Sequence, residues 1–314
     1  MLSIYKHRHG GGLLPTTKIE SGVWINVVAP DAKERELLME QAGAPEDFLL
    51  YGLDPDEGAR FEYDDDADSS LIIYDMPSLL TSGDQRGSYE TIPLAVIITK
   101  KCLITIHTEP IPLMQYFAEG KVAGFDPRNR YRAAFQFLYQ VSVSYLTYLR
   151  DLNKSRIRIE AKLQRTLKND DLYGLMGIQR SLVYFMMSLR TNRIVLENLG
   201  RGNVLQLNED DLDYLDDIMI ENQQGTEMAQ ISNSIIRETA DTYSSVINNN
   251  MNGVMKFLTS YSIILTIPTL VFSFYGMNVD LPFSGDHLSW VITIVISVVI
   301  ALVLSVQFWR NKYF

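Results

Sequence analysis

Towards its C-terminal end the sequence carries a regular series of small, mostly polar residues. Alternating steps of three and four residues give the series Asn252, Met255, Thr259, Ser262, Thr266, Thr269, Ser273 and Gly276, here called the polar stripe. Those steps place all eight residues on one face of a helix. Hydroxyl and amide oxygens in such a row can line a water-filled pore, but small residues also let two helices pack closely. Because one helix cannot enclose a pore, the pore interpretation requires an oligomer, and periodicity alone leaves both interpretations open.

The polar stripe lies mainly in the first of two long apolar segments. Residues 257–279 are 23 positions without a charged side chain, and residues 288–309 are 22 more. Each segment exceeds the roughly 20 residues that a helix needs to cross a bilayer. Lys256, Arg310 and Lys312 flank the pair and the link between the segments has no base, so both ends are expected in the cytoplasm. A hairpin buried in a soluble core is the alternative interpretation.

The sequence before the first apolar segment is that of a charged soluble domain. The 314 residues include 28 Lys and Arg against 38 Asp and Glu, a net charge of −10, and all of this net charge lies in the first 256 residues. An acidic domain is a poor nucleic-acid binder, because phosphate binding needs a basic surface. The single cysteine, Cys102, excludes a disulfide scaffold and a multi-thiolate metal site. Residues 1–12 contain no apolar run typical of a secretory signal, so the domain is expected to stay in the cytoplasm.

Proline positions predict how the chain is organised. No proline occurs between residues 128 and 267, which indicates long helices there, whereas the earlier part is mixed. We predict an α/β cytoplasmic domain, a helical pair, a long stalk helix and two transmembrane helices. The predicted bounds are 1–125 for the α/β domain, 126–203 for the helical pair, 204–256 for the stalk helix, 257–278 for the first transmembrane helix, 279–287 for an extracellular loop, 288–309 for the second transmembrane helix and 310–314 for a basic cytoplasmic tail.

Local patterns predict the individual elements. Asp31 is expected to cap a short helix that runs to about Ala42, and the glycine-rich N-terminus is expected to be flexible. One helix from residue 208 to residue 275 would be roughly 100 Å long at 1.5 Å per residue. Strands are predicted at residues 23–28, 61–64, 71–74, 91–99 and 103–107, and two further helices near 128–167 and 173–199.

The first apolar segment ends in Gly276-Met277-Asn278, close to the beginning of a second segment that ends the chain. This arrangement resembles the CorA family of magnesium transport channels, whose signature is Gly-Met-Asn at the outer end of the first of two C-terminal spans. The residues around Asn252 and the early strand beginning Trp24-Ile25-Asn26 are also similar to the family. The likeness covers nearly the whole chain, although the family's Met-Pro-Glu-Leu loop is replaced by residues 279–283.

The resemblance implies a funnel-shaped homopentamer in which the first span of each subunit lines one pore. The pore positions of the family match Asn252, Met255, Ser262, Thr266, Thr269 and Ser273 of this chain. At one position along the pore, the pore-lining residue of the family matches Leu258 of this chain rather than Thr259, so both residues are candidates. Leu258 beside Met255 would then form an apolar constriction that gates by dewetting.

The chemistry of the Gly276-Met277-Asn278 signature suits a hydrated Mg²⁺ ion. Mg²⁺ sheds its water reluctantly and prefers oxygen ligands in octahedral geometry. Five Asn278 amide oxygens and five Gly276 carbonyls would hold the ion through its water ligands, whereas the thioether of Met277 is too soft to bind it. Asp280 and Asp286 in the outer loop would concentrate cations at the mouth of the pore. The alternative is that Asn278 serves only as a helix cap.

Acidic residues crowd the start of the predicted stalk helix. The resemblance implies that Asp217, with Asp216 beside it, binds regulatory Mg²⁺ between subunits, and Asp75 and Asp84 are candidates for the carboxylate of the neighbouring subunit. Mg²⁺ would then be both transported and regulatory, and the sequence has no phosphate-binding loop that would indicate a nucleotide. The alternative is that the acidic run is only a solvated helix face.

We therefore predict a channel that imports Mg²⁺, and also Co²⁺ or Ni²⁺, across the cell (inner or plasma) membrane under the membrane potential. Its expected partners are copies of itself, the lipid bilayer and divalent cations. One branch of the family with Gly-Ile-Asn moves Zn²⁺ with protons, and Met277 favours the magnesium branch. A membrane-anchored oligomeric scaffold or signalling protein without ion flux is the alternative of another class. An enzyme is disfavoured, because no Gly-x-Ser-x-Gly nucleophile elbow accompanies the glycines after His9.

Overall fold

A computed structural model describes residues 1–8, 11–80, 88–163, 169–201, 205, 207–277 and 288–311 of the chain. Within these residues the strands are β1 Leu2–His7, β2 Leu13–Thr16, β3 Val23–Val28, β4 Arg60–Asp64, β5 Ser69–Leu79, β6 Tyr89–Ile98 and β7 Leu103–His107. The helices are α1 Ala32–Leu37, α2 Glu46–Tyr51, α3 Pro112–Ala118, α4 Arg130–Leu163, α5 Asn169–Arg201, α6 Glu209–Tyr275 and α7 Ser289–Arg310. The chain divides into two compact units, Met1–Arg237 and Glu238–Phe314. The predicted class, an α/β domain followed by a long helix and a second apolar helix, is confirmed.

The seven strands form one sheet in the order β2-β1-β3-β7-β6-β5-β4. β3 and β7 run parallel, in a register that pairs Trp24 with Leu103, and the other neighbouring strands are antiparallel. All five residues of β7 are buried, as expected for a strand that is covered on both faces. The sheet is therefore the central layer of the first unit.

Alternate residues of the central strands build two separate cores. On one face Ile25, Ile97 and Ile104 pack in a cluster that includes Phe48 of α2. On the other face the fully buried Trp24 contacts aromatic rings from α3, α4 and the segment between them, and its indole nitrogen donates to the Thr105 hydroxyl at 2.9 Å. Cys102 is buried, and this burial raises the pKa of its thiol to about 11, as expected for an unreactive core thiol.

The N-terminus differs from the prediction of a flexible segment. β1 pairs with β3 from Leu2 opposite Val27 to Lys6 opposite Val23, and β2 pairs with β1 in turn. The apolar side chain of Ile4 is 9% exposed and belongs to the core cluster, which explains why the segment is ordered as a strand. The prediction was wrong for these residues, whereas His9 and Gly10 lie outside the described residues.

The long helices agree with the predictions, whereas two short helices were missed. α4, α5 and α6 begin and end within a few residues of the predicted bounds, and α6 has 67 residues. The side chain of Asp31 accepts from the Glu34 backbone amide in a capping box, and helical structure continues to Ala42 as predicted, its last five residues as a π-helix. α2 and α3 were not predicted, because six or seven residues are too few for a helical period to stand out.

Asn192 on α5 joins the helical pair to the sheet. Its side-chain amide donates to the Asp75 carbonyl at 2.7 Å and accepts from the Asp75 backbone amide at 2.9 Å, as a neighbouring strand would. We expect Asn192→Ala to lower the free energy of unfolding by about 2–4 kcal/mol, because it leaves the Asp75 backbone amide unpaired and removes one of the two donors to the Asp75 carbonyl, the other being the Tyr145 hydroxyl. Thermal unfolding of the detergent-solubilised protein would measure this loss. Asn198→Ala, an exposed substitution on the same helix, should leave the transition near the wild-type temperature.

Candidate functional site

The polar stripe is exposed along the whole of its length in the single chain. All eight of its residues, and Leu258, are exposed, seven of the eight on α6 and Gly276 directly after it. The buried residues in the apolar part of the same helix are Ser260 and Val271, with Ile264 and Ile267 half-buried between them. At 100° per residue, the centre of this second series lies about 150° around the helix from the centre of the polar stripe. The polar stripe therefore faces away from the side of α6 that is covered within the chain.

The second apolar helix has a matching covered side. Thr293 and Ser297, one helical turn apart on α7, are buried, and the Ser260 side chain is 1% exposed. Both covered sides carry small hydroxyl residues, a residue type that lets membrane helices pack closely. The residues of the apolar part of α6 that are covered within the chain are thus Ser260 and Val271, and not those of the polar stripe.

Hydroxyl groups of the polar stripe are oriented by the helix that carries them. Ser262 donates to the Leu258 carbonyl at 2.8 Å, Thr266 to the Ser262 carbonyl at 2.7 Å and Thr269 to the Leu265 carbonyl at 3.2 Å. A hydroxyl that donates its only proton to the backbone presents its oxygen to the surroundings as an acceptor. The water ligands of a hydrated cation are donors, so this row of oxygens suits such an ion.

α6 ends next to the signature tripeptide. The Gly276 amide donates to the Phe272 carbonyl at 2.9 Å, and a Cβ atom on Gly276 would come within 3.2 Å of that oxygen. Gly276 is not in the left-handed region, so close approach of the backbone explains the glycine here. Met277 is 55% exposed. Asn278, Asp280 and Asp286 lie outside the described residues, as does Asp84.

The same periodicity continues beyond the residues that the sequence analysis selected. Going towards the N-terminus from Asn252, steps of four and three residues reach Asn248, Ser245 and Asp241, all of them exposed on α6. These residues were missed because the search began at the edge of the apolar segment. Extending the count by three turns would have found them, and it adds a carboxylate to the row of oxygen-bearing side chains.

Asp216 and Asp217, the candidate regulatory residues, are exposed near the start of α6. The nearby Asp211 differs, because it is buried beside Arg132, whose guanidinium lies 3.9 Å from its carboxylate and stacks on Tyr214. Burial raises the pKa of Asp211, and Arg132 opposes this rise. The acidic start of α6 thus contains one carboxylate with a cation beside it and others that remain open to solvent.

Asp75, the other described candidate, sits in a different environment. Its carboxylate accepts from the Thr191 hydroxyl at 3.1 Å, and its backbone is held by Asn192 and Tyr145. Burial raises the pKa of Asp75, while hydrogen bonds from Thr191 and Ser188 oppose the rise. Among the described residues of one chain, no three His, Cys, Asp or Glu side chains come together as a metal site.

α6 and α7 are both long and apolar enough to cross a membrane by length and composition, and most of each apolar stretch is exposed in the single chain. Trp290 and Trp309, near the two ends of α7, are 67% and 72% exposed. Exposed apolar side chains on this scale are expected for helices whose surroundings are lipid or other membrane helices.

Comparisons with known proteins by sequence and by structure point to the same family. A family model described as CorA-like Mg²⁺ transporter protein matches residues 20–310. The cobalt/magnesium transport protein CorA of Methanocaldococcus jannaschii is 26% identical over 301 residues, which cover 93% of this chain and 91% of that protein. The complete structure of the CorA magnesium transporter from the same organism covers 100% of this chain and 99% of its own, with a TM-score of 0.87 and 25% identity.

A more distant likeness exists to the ZntB cytoplasmic domain from Vibrio parahaemolyticus. It covers 79% of this chain and 98% of that domain with a TM-score of 0.62, and its 11% identity shows a shared fold alone. The match to the family model extends over almost the whole chain, from the strand that carries Trp24 to the end of α7. The chain therefore belongs to the CorA-like Mg²⁺ transporter family, with the fold of that family: a soluble α/β domain, a long helix and two apolar C-terminal helices.

Proposed function

We propose that this protein is a homopentameric channel that imports hydrated Mg²⁺, and also Co²⁺ or Ni²⁺, into the cytoplasm. The observation that carries the proposal is the exposed polar stripe on the side of α6 opposite the side that packs within the chain. Five copies of α6 around one axis would turn this stripe inward, because a single helix cannot enclose a pore. The printed name of the Methanocaldococcus jannaschii relative, a cobalt/magnesium transport protein, supports these cations as cargo.

The proposed pore has a filter at its outer end and a constriction at its inner end. Gly276 carbonyls and Asn278 amides hold the ion through its water ligands, so selection by size and charge needs no dehydration. Asp280 and Asp286 raise the local cation concentration at the mouth. Leu258 and Met255 form the apolar constriction. The remaining stripe residues supply acceptor oxygens between the two ends.

The membrane potential suffices as the driving force. One charge that crosses 100 mV gains about 2.3 kcal/mol, so a divalent cation gains roughly 4.6 kcal/mol. Because inward flow is downhill, the channel needs closure when internal Mg²⁺ is plentiful. Mg²⁺ bound by Asp217 and Asp216 to a carboxylate of the neighbouring subunit holds the subunits closed, and loss of the ion lets the carboxylates repel. Asp75 is the weaker candidate for that carboxylate, because Thr191 already engages it within the chain.

Divalent uptake into liposomes that contain the purified protein tests this proposal. Under an inside-negative potential and without a pH gradient, Mg²⁺ entry that follows the voltage is the expected result. Zn²⁺ entry that appears only with a proton gradient would instead indicate the zinc-transporting branch. If neither ion enters, the anchored scaffold or signalling protein becomes the better interpretation, with the polar stripe as a contact between copies.

Thr266→Val tests the role of the stripe hydroxyls against a matched control. It removes one hydroxyl per subunit from the proposed pore while it preserves the shape of the side chain. We expect Mg²⁺ uptake to fall by about fivefold or more, since the loss of even one acceptor worth about 1 kcal/mol weakens capture of the ion about fivefold, and each subunit loses one. Thr293→Val removes a hydroxyl that donates to the Ser289 carbonyl at 2.8 Å on the covered side of α7. Uptake by that variant should remain near wild type, and equal losses in both variants would contradict the pore assignment.

A further inference from the structure

The two parallel strands of the sheet end beside a cavity. β3 and β7 run side by side, with Val28 opposite His107 at their carboxyl ends. After β3 the chain passes to the face of the sheet covered by Phe48 of α2, and after β7 it passes to the face where Phe117 of α3 contacts Trp24. In open α/β sheets, ligands bind outside the carboxyl ends of neighbouring strands whose connections leave to opposite faces. The topology therefore indicates a ligand site at this end of β3 and β7.

The cavity is small and mixed in character. It has a volume of about 290 Å³ and lies between the sheet and α3. Val28, Ile111 and Met114 supply apolar walls, whereas Tyr5 and Asn26 supply polar groups. The described part of its lining contains no Asp, Glu, Lys or Arg. Small-molecule sites are mostly apolar with a few well-placed polar groups, so this composition suits a compact organic molecule.

A chain of hydrogen bonds orients the side chain of Asn26. The Trp24 indole, which can only donate, donates to the Thr105 hydroxyl at 2.9 Å, and that hydroxyl donates to Asn26 Oδ1 at 3.0 Å. Asn26 Oδ1 also contacts His107 Nε2 at 2.9 Å. Within the described part of the chain, no group accepts a hydrogen bond from the Asn26 NH₂ group. Because Asn26 lines the cavity, this NH₂ group is available as a donor to a molecule bound there.

His107 determines the charge of the cavity. Its side chain is 1% exposed, its Nδ1 contacts the Glu109 carbonyl, and its Nε2 contacts Asn26 Oδ1. Both partner oxygens are acceptors, and only the imidazolium form of histidine donates from both ring nitrogens. Burial lowers the pKa of His107, while the hydrogen bond to the Glu109 carbonyl opposes this change. A negative charge in the cavity would therefore favour the protonated form, which satisfies both contacts.

None of the described elements around His107 places an acidic side chain in the cavity. β3, β7 and α3 contain no Asp, Glu, Lys or Arg. On β1, Lys6 points to the opposite face of the sheet from Tyr5, because side chains alternate along a strand. Glu90 lies before the part of β6 that pairs with β7. Glu109 meets the ring through its backbone carbonyl, and its side chain is exposed. The counter-ion of an imidazolium here must therefore come from a bound molecule.

We propose that this cavity binds a short organic monocarboxylate. The carboxylate accepts from the Asn26 NH₂ group and supplies the negative charge that balances the His107 imidazolium, while the apolar walls cover the rest of the molecule. A phosphate group fits less well, because it carries up to two charges near neutral pH and is usually held by several bases, none of which is found in the described lining. Binding takes up one proton, because the bound anion favours protonated His107. This site is separate from the cation sites of the proposed function.

Calorimetric titration of the full-length protein in detergent with butyrate tests the proposal. We expect one site per subunit, and a dissociation constant that falls about tenfold between about pH 8 and about pH 7, because one proton is taken up with each butyrate. Heats measured in two buffers of different ionisation enthalpy count this proton. Butyramide, which has nearly the same shape but no charge, should bind at least about tenfold more weakly. Equal binding of the two compounds, butyrate binding without proton uptake, or no butyrate binding at either pH would overturn the proposal.

Two substitutions locate the site in this cavity. Asn26→Asp keeps an acceptor for Thr105 and His107, but it removes the NH₂ donor and adds a carboxylate that repels butyrate. Ala118→Leu on α3 fills part of the cavity. We expect each to weaken butyrate binding by about tenfold or more, whereas Ala161→Leu, an exposed change on α4, should bind like wild type. Thermal unfolding checks that the variants are folded. Folded variants that bind butyrate like wild type would overturn the proposal, and because no ion flux is measured, that result would leave the channel proposal standing.

Discussion

Asn278→Ala is expected to lower Mg²⁺ uptake by at least about tenfold. In the proposed filter, each of five subunits offers one Asn278 amide oxygen to the water ligands of the ion. Removal of five acceptors worth about 1 kcal/mol each weakens capture by several kcal/mol, and every 1.4 kcal/mol is a factor of ten. Alanine also removes the side chains that set the size of the proposed filter and so exclude other ions. The ratio of Mg²⁺ to Ca²⁺ uptake should therefore fall. Flux of both ions under a fixed inside-negative potential measures the two effects.

Asn250→Ala is the matched control for this variant. Asn250 is an exposed amide on α6, and at 100° per residue it lies about 140° from the centre of the polar stripe. Its loss should leave uptake and ion preference close to wild type. If Asn278→Ala also transported like wild type, Asn278 would be no more than a helix cap, and selection would have to lie at another level of the pore.

The long elements of the fold could be predicted because each of them follows a sequence pattern that extends over many residues. A proline-free stretch, two uncharged segments and an alternating strand such as residues 23–28 each repeat one physical pattern over many residues. β1 was missed because the glycines after His9 suggested flexibility, whereas pairing with β3 and burial of Ile4 decide the structure. α2 and α3 depend in the same way on tertiary contacts, here through Phe48 and Phe117, which no local pattern reveals.

The sequence was sufficient to predict which residues of the candidate site share one face of α6. It was not sufficient to predict what that face contacts. Steps of three and four residues placed Ser262, Thr266 and Thr269 together, and the structure shows them exposed in one row. Periodicity could not say which side of α6 packs against the rest of its own chain. That depends on Ser260 and Val271, whose burial requires a second helix. Asp75 shows the same limit, since the sequence gives no sign that Thr191 and Asn192 engage it.

Asp217→Lys is expected to release the channel from inhibition by cytosolic Mg²⁺. Asp217 is exposed near the start of α6. The substitution can therefore change a contact between subunits without disturbing the hydrophobic core of the subunit that carries it. Lysine removes an oxygen ligand that Mg²⁺ prefers and places a positive charge where the ion would bind. The Mg²⁺ concentration needed for half-inhibition should rise by about tenfold or more, equivalent to a loss of 1.4 kcal/mol or more in binding. Uptake at very low internal Mg²⁺ should stay near wild type.

Asp170→Lys separates this effect from a general change of charge. Asp170 is also an exposed acid on a long helix, α5, so the two variants share the same change in net charge. Current across a planar bilayer, with Mg²⁺ titrated on the side of the soluble domain, compares them directly. Inhibition that is lost in Asp217→Lys and retained in Asp170→Lys would locate the regulatory ion at the start of α6. Inhibition retained in both would leave the acidic run as a solvated helix face, and the closure of the channel would then need another cause.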